Sequence, residues 1–329
     1  MFGASMSSKI RPLISIVSPA LAAANNGNWH TAWRWSRMLQ ANCRTEICAQ
    51  WSGEDCAALI ALHARRSAPS IDAFARAHPD RPLIVVLTGT DLYRDIRSDP
   101  AAQRSLEQAT QLVVLQDQGI QELLPALRAK CRVIYQSAPR LKAVPAPKRV
   151  LRVVQVAHLR DEKDPATFMR AARRLSERST IHFEHIGDDL DPALGDAARA
   201  TQGDSPHYRW LGALPRPQTR RHIQHGHLLV STSKMEGGAH VILEAAQSGT
   251  AVLASRVAGN IGMLGLGYTG YFDLGDDAAL GALIARSRDE ADFLATLRYQ
   301  TLARAPLFEP AEEKRRLLDL IQTALENRP

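Results

Sequence analysis

The chain is poor in cysteine and in lysine, and it has no long apolar run. Among its 329 residues are only four cysteines, Cys43, Cys48, Cys56 and Cys131, with no C-x-x-C pair. That excludes a disulfide scaffold and fits reduced cysteines of a cytoplasmic protein. No stretch reaches the ~18–20 apolar residues needed to span a bilayer, so no membrane-spanning segment is expected. Only 7 of the 41 basic residues are lysine; the other 34 are arginine, against 34 acids, for a net charge of +7. Arginine suits bidentate binding of phosphate or carboxylate, although coding bias accounts for much of an Ala- and Arg-rich composition. The charge permits an acidic ligand without naming one.

With 45% hydrophobic and 23% charged residues the composition is that of an ordinary globular protein. At about 150 residues per domain the length suggests two domains. The cations are interspersed with acids, and no zinc-finger, RNP-like or recognition-helix pattern appears, so no nucleic-acid partner is expected. His222, His225 and His227 lie around a helix end and the next strand. Histidine is favoured there by the helix dipole. Without a neighbouring cysteine or an H-E-x-x-H pattern they make no zinc site, so neither metal nor cofactor is expected. At the N-terminus Lys9 and Arg11 precede Leu13–Val17 and Leu21–Ala24 in a pattern resembling a signal peptide. Pro19 interrupts it, and the same residues read well as a first buried strand.

Short β-rich apolar runs alternate with helical stretches. Leu13–Val17, Glu46–Gln50, Leu83–Leu87, Leu112–Leu115 and Arg132–Tyr135 read as buried parallel strands. His30–Ala41, Ile71–Ala77, Ala101–Ala109 and Gln118–Ala129 read as the helices between them. The Pro- and cation-rich segment Pro139–Lys148 breaks the pattern as a linker. Beyond it Val153–Ala157, Ile181–Ile186, Leu228–Ser231, Ala251–Ala254 and Tyr271–Leu274 read as strands. Asp164–Glu177, Gln218–Gln224, Ala239–Ser248 and Ala278–Arg288 read as helices, and the stretch from Pro310 to Leu325 as a final one. The expectation is an α/β protein of two Rossmann-like domains, residues 1–148 and 149–329, facing a central cleft, with the last helix returning to the first domain. Ligands are then expected at the carboxyl ends of the strands.

Residues 227–254 are the most informative. They parse as a strand, a loop with Glu236, Gly237 and Gly238, a helix from Ala239, Gly249 as its stop, and another strand. The glycines let backbone approach a ligand, and the helix start offers unpaired N–H groups to an anion. Glu244 lies one turn inside the helix, and its side chain leans toward that same end. Amides for phosphate with two carboxylates for hydroxyls suit a nucleotide sugar.

Glu236 and Glu244, with seven residues between them, resemble the E-x7-E motif of family-4 (group 1) glycosyltransferases of the GT-B fold. The resemblance implies that Glu236 contacts donor-sugar hydroxyls and that Glu244 binds the ribose diol. It places Gly27, Ser233, Gly237, Gly238, Ala239, His240 and Val241 in the donor site, the amides from Gly238 to Val241 holding sugar and diphosphate. This chain departs from the family's E-G-F-G by carrying Gly238 and Ala239. Residues Val153–Asp164 resemble the G-R-L-x-x-x-K-G segment, whose arginine and lysine grip the diphosphate. Lys163 matches the lysine, His158 stands where the arginine is usual, and Arg160 is a second candidate cation.

In the first half, Ser18-Pro19, the turn Asn25–His30 and Thr88-Gly89-Thr90-Asp91-Leu92-Tyr93 resemble a narrower group, the selenosugar synthases of bacterial selenoneine biosynthesis. That resemblance implies a metal-independent enzyme taking a hexose from UDP-N-acetylglucosamine or UDP-glucose to selenophosphate. Asn26, Asn28 and His30, with Gly27, are then the candidate anion turn, and Thr90 and Asp91 further acceptor residues. A selenium anion is a strong nucleophile, so positioning and leaving-group stabilisation outweigh a general base. Trp33 and Trp35 read as packing residues. A sugar-nucleotide epimerase of the same fold, a transferase with another small acceptor, and a non-catalytic nucleotide binder are the rival readings.

Overall fold

The computed structural model describes residues 11–21, 27–142, 144, 147 and 149–326. The chain divides into two compact units, one made of Met1–Val114, Ile120–Ile134 and Lys314–Pro329, the other of Leu115–Gly119 and Tyr135–Glu313. The division falls at Tyr135, ahead of the Pro139–Lys148 segment. The reason is visible in the bonding of residues 135–138. Tyr135 donates to the Gly262 carbonyl at 3.2 Å, Ser137 to the Glu313 carboxylate at 2.5 Å, and the Ala138 N–H to the Phe308 carbonyl at 3.3 Å. The final helix, Pro310–Glu326, accordingly starts in the second unit, and from Lys314 onward belongs to the first.

In the first unit β1 (Leu13–Val17), β2 (Arg44–Cys48), β3 (Ala58–Leu62), β4 (Leu83–Leu87), β5 (Gln111–Val114) and β6 (Cys131–Val133) form a parallel sheet ordered β2-β1-β3-β4-β5-β6. Helices Ala68–Ala77 and Pro100–Gln108 help to cover it. The second helix starts where Pro100 follows Asp99, whose carboxylate accepts from the N–H groups of Ala101 and Ala102 at 2.8 and 3.0 Å. The core gathers Val17, Leu59, Ala61, Phe74, Val85 and Leu87.

The second unit repeats the plan. β7 (Leu151–Val156), β8 (Ile181–Ile186), β9 (Tyr208–Trp210), β10 (Leu228–Ser231), β11 (Ala251–Ser255) and β12 (Tyr271–Phe272) are parallel in the order β12-β11-β10-β7-β8-β9. The chain winds to one side from β7 through β9 and to the other from β10 through β12. β7 and β10 therefore flank the point where the winding direction switches, the place where such sheets open a crevice at their carboxyl ends. No helix among the described residues is long and apolar enough to cross a membrane.

Two strands lie where none is expected. β3 is alanine-rich, a helix-favouring composition, yet all five residues are buried between β1 and β4, and burial on both faces overrides propensity. β9 is a three-residue edge strand, too short to show a period. The helix expected over 118–129 is instead a 3-10 turn at Asp117–Glu122 and a single turn at Pro125–Arg128, interrupted at Pro125. Trp35 is fully buried, whereas Trp33 is half exposed and is not a core residue. Several of the arginines form surface pairs such as Arg76–Asp72, Arg97–Glu122 and Arg178–Asp289. Each such pair contributes about 0–1 kcal/mol.

His185 on β8 is fully buried against Phe168, its Nδ1 2.9 Å from the Tyr208 hydroxyl. Burial pushes its pKa down to about 4. The unfolded chain therefore takes up this proton near pH 6.5 while the folded chain refuses it, and stability falls between pH 6.5 and 4. Urea unfolding at pH 7 and pH 4.5 should show the wild type losing about 2–3 kcal/mol more than His185→Gln.

Candidate functional site

The loops leaving β7 and β10 carry the residues singled out from sequence. After β7 the chain makes a 3-10 turn, Asp161–Lys163, and enters helix Pro165–Arg174 through Asp164, whose φ is +42°. The corresponding place in the K-G segment is a glycine. Asp164 tolerates this left-handed backbone because short polar side chains bond locally, and its carboxylate accepts from the Thr167 hydroxyl at 2.6 Å. After β10 the loop through Ser233 and Glu236 leads to helix His240–Ala246.

The two loops are tied together. Gln155 donates through Nε2 to Thr232 Oγ1 at 2.6 Å, and the Thr232 hydroxyl donates to the Lys163 carbonyl at 2.8 Å. The Lys234 N–H donates to the Glu162 carbonyl at 2.9 Å. At the centre Lys163 Nζ lies 2.5 Å from Glu236 Oε1, which also accepts from the Ser233 hydroxyl at 2.6 Å. Lys163, Ser233 and Glu236 are thus one cluster, with Glu236 only 9% exposed.

Two glycines allow close packing around the cluster. A Cβ on Gly259 would lie 1.9 Å from the Glu236 carbonyl oxygen, and one on Gly238 would lie 2.7 Å from Leu115 Cβ. Ser255 donates to the Ser233 carbonyl at 2.6 Å, and Asn260 Nδ2 donates to the Ser255 carbonyl at 3.0 Å. Gly237 and Ala239 are buried, and Val241 is half-buried in the first turn of the helix. Gly249 ends the segment with φ +73°, a stop of the expected kind.

Glu244 is 4% exposed and faces two arginines that sequence reasoning missed, beside the expected His240. Its Oε1 lies 3.4 Å from Arg216 Nη2, 3.7 Å from Arg220 Nε and 3.4 Å from His240 Nε2. Burial alone would push its pKa up; His240, Arg216 and Arg220 outweigh this and hold it below the usual carboxylate value. Arg216 and Arg220 are one turn apart on helix Arg216–His225, so their i, i+4 spacing was the available signal.

His158 follows β7, and its Nδ1 accepts the Asp188 N–H at 3.0 Å. The residue is exposed. Desolvation by the surrounding loops and the Arg160 charge lower its pKa despite Asp188. The imidazole is therefore a neutral Nε2–H donor at neutral pH, not a cation replacing arginine. Arg160 is exposed and has no ion-pair partner among the described residues. It is the permanent cation of this loop that remains open to a ligand. His222 pairs with Glu184 at 2.7 Å, and His227 bonds the Arg152 N–H at 3.0 Å. Among the described residues no three His, Cys, Asp or Glu side chains are grouped to hold a metal.

The first unit holds the residues cast for the acceptor. Asn26 lies outside the described residues. Gly27, Asn28 and His30 lie in the first turn of helix Gly27–Leu39. Thr90 stands past the carboxyl end of β4, beside a π-helical turn, Asp91–Asp95. Asp91 is fully buried: its Oδ1 accepts from the Thr88 and Gly89 N–H groups and its Oδ2 from that of Ala64, each at 2.9 Å. That spends its oxygens on backbone, so it caps the loop and does not touch an acceptor. The missed residue here is His63, just past β3, buried and at φ +73°. Its Nδ1 accepts the Arg66 N–H at 3.3 Å, which leaves Nε2–H to donate to Thr90 Oγ1 at 3.1 Å. Asp95 pairs with Arg65 at 2.8 Å and Arg94 at 3.1 Å.

Residues 140–290 match the sequence profile of the glycosyl transferases group 1. No curated protein sequence matches the chain. Among solved structures it is similar to Staphylococcus aureus TarM, solved with UDP and alpha-GlcNAc-glycerol, at 13% identity and a TM-score of 0.62. That likeness covers 82% of this chain and 55% of TarM, so this chain spans about half the length of that enzyme. It is similar to Anabaena HepE, solved with UDP and glucose, at 14% identity and TM-score 0.71, covering 95% of this chain and 100% of that one. A sucrose-phosphate synthase from Thermosynechococcus elongatus gives 14% identity and TM-score 0.77, covering 96% and 100%. The two parallel six-stranded sheets with flanking helices are those of the GT-B fold.

The contact between Gly259 and Glu236 gives a direct test of this geometry. Gly259→Ala must displace the Glu236 backbone, and overpacking of this kind costs about 1–3 kcal/mol. Urea unfolding should show that loss, whereas Gly267→Ala, where a Cβ meets nothing within 4 Å, should show a change under about 1 kcal/mol.

Proposed function

We propose that the protein is a glycosyltransferase that takes a hexose, N-acetylglucosamine or glucose, from a UDP-sugar to selenophosphate. The carrying observation is the Lys163–Glu236–Ser233 cluster in the loop that leads into the helix bearing a cation-clamped Glu244, at the switch point of the second sheet. In this reading the diphosphate takes Lys163 and Arg160, with His158 donating through Nε2. Glu236 turns to sugar hydroxyls and Glu244 to the ribose diol. The amides of Gly238, Ala239, His240 and Val241 face the diphosphate and sugar. The group 1 match over residues 140–290 and the UDP complexes of structurally similar enzymes support the donor.

The acceptor rests on the resemblance of Ser18-Pro19, Asn25–His30 and Thr88–Tyr93. Asn26, Asn28, His30 and Thr90 would hold selenophosphate. Its selenium attacks the anomeric carbon, the C1–O bond to UDP breaks, and UDP departs with that electron pair. Water then cleaves the Se–P bond, giving the 1-seleno-sugar and phosphate. The protein's work is positioning and stabilising the leaving diphosphate. An epimerase would need free acid–base carboxylates in the first unit. The buried Asp91 and Asp95 beyond β4 are instead committed to backbone amides and arginines.

Purified protein with UDP-N-acetylglucosamine or UDP-glucose should release UDP only when selenophosphate, or thiophosphate as its surrogate, is present. Lys163→Ala should lower kcat by about 10²–10³-fold, and Glu244→Gln should raise the donor KM. UDP-sugar isomerisation without acceptor would overturn the transferase reading. Turnover only with a different acceptor would overturn selenophosphate alone.

A further inference from the structure

One buried side chain at the carboxyl edge of the first sheet, His63, has no role in the proposed reaction. In that sheet the chain winds from β1 out to β2 and then crosses to β3 on the other side of β1. β1 and β3 therefore flank its switch point. His63 is the first residue past β3, and Thr90 stands past the adjacent β4. The backbone of His63, at φ +73°, is of a kind that persists in a non-glycine residue where the surroundings over-determine it. Here they do. The His63 N–H donates to the Val86 carbonyl at 2.8 Å, and its carbonyl accepts the Ser67 N–H at 3.0 Å. The Ser67 hydroxyl donates to the Leu62 carbonyl at 2.6 Å. Ala64 gives its N–H to Asp91 Oδ2 and accepts from the Ser105 hydroxyl, both at 2.9 Å.

The imidazole held by this turn has one protonation pattern. Nδ1 accepts the Arg66 N–H at 3.3 Å and so carries no proton, while Nε2–H donates to Thr90 Oγ1 at 3.1 Å. Asp91 and Asp95 each lie 3.9 Å from a ring nitrogen, too far for a hydrogen bond. Their oxygens are taken by backbone amides and by Arg65 and Arg94. Burial lowers the pKa of the ring, and Arg66 and Arg65 add to this against the pull of Asp91 and Asp95. A neutral ring with its proton on Nε2 cannot take the proton of Thr90. Hydroxyl, imidazole and carboxylate are therefore not a nucleophilic triad.

We infer that His63 is a positioning residue, which holds Thr90 as a directed donor to a phosphoryl oxygen of the acceptor. With His63 on one lone pair of Oγ1, the Thr90 hydroxyl keeps its own proton to donate. Among the described residues no acceptor lies within hydrogen-bond distance of it. Thr90 is only half-buried, so this donor is within reach of a ligand. A hydroxyl that accepts one bond donates the next more strongly. A phosphoryl oxygen, which only accepts, is the matching partner. The two turns also carry three arginines, Arg65, Arg66 and Arg94, against two carboxylates, a balance that favours an anion. The inference rests on the proposed acceptor and adds to it a residue that acts through Thr90 alone.

Calorimetric titration of thiophosphate into the full-length protein saturated with UDP tests it. Thr90→Val should weaken thiophosphate binding about 10-fold, as expected for one lost hydrogen bond to a charged group. His63→Asn keeps a residue that tolerates the left-handed backbone but is too short to reach Thr90. It should weaken binding by a similar factor. His63→Gln places an amide N–H near the position of Nε2 and should restore most of the affinity. Adding His63→Asn to Thr90→Val should change nothing further, because His63 acts only through that hydroxyl. UDP affinity should be the same in every variant. Additive losses in the double variant, no rescue by His63→Gln, unchanged binding in Thr90→Val or an altered UDP affinity would each overturn the assignment. So would the absence of saturable thiophosphate binding by the wild type. If the predicted pattern of binding is found but UDP is never released from a UDP-sugar, the transferase reading fails and the role of His63 stands.

Discussion

Everything at the carboxyl edge of the second sheet depends on one ion pair, Lys163 with Glu236. It joins the loop leaving β7 to the loop leaving β10, the two strands where the winding reverses. Neither partner is well solvated, the lysine side chain being 21% and the glutamate 10% exposed. Desolvating two charges costs several kcal/mol, and their attraction offsets this only with good geometry and further hydrogen bonds. Ser233 supplies one of those bonds, and the Gln155–Thr232–Lys163 chain keeps the loops in register. Gly259, in the first turn of the helix Ala258–Leu264 after β11, is the matching constraint, because no side chain fits against the Glu236 carbonyl.

The same logic recurs at Glu244, whose negative charge persists under burial because Arg216, Arg220 and His240 surround it. Both carboxylates of the E-x7-E pair are therefore already matched by cations. A bound nucleotide sugar would exchange these partners: Lys163 would gain phosphate oxygens while Glu236 gains hydroxyl donors. Such an exchange keeps the number of charge-assisted bonds nearly constant, which is how a site binds a dianion without leaving a buried charge unpaired.

Much of this was legible in the sequence, for identifiable reasons. Leu83–Leu87 and Leu228–Ser231 are strands with the expected bounds because continuous β-branched and aliphatic runs leave no other economical structure. Glu236 could be nominated from its place in the loop after a strand, and Lys163 and Ser233 from the resemblance of their segments to a family. What stayed hidden depends on contacts distant in the chain. Arg216 and Arg220 acquire meaning only when their helix packs beside that of Glu244. His63 gains its contact with Thr90 only because β3 pairs with β4 at the centre of the first sheet. Asp91 and His158 kept their predicted locations but not their chemistry, since backbone N–H groups claim the carboxylate of one and the Nδ1 of the other. Side-chain type and loop position were readable; which hydrogen bonds had already been used was not.

The central claim is that the Lys163–Glu236 edge is a nucleoside diphosphate site. Calorimetric titration with UDP addresses it most directly, because it needs neither the hexose nor the acceptor to be known. The wild type should bind one UDP per chain, and Lys163→Met should bind it at least about 10-fold more weakly, as expected for one lost charge-assisted contact. No saturable binding by the wild type, or the same affinity in Lys163→Met, would contradict the account.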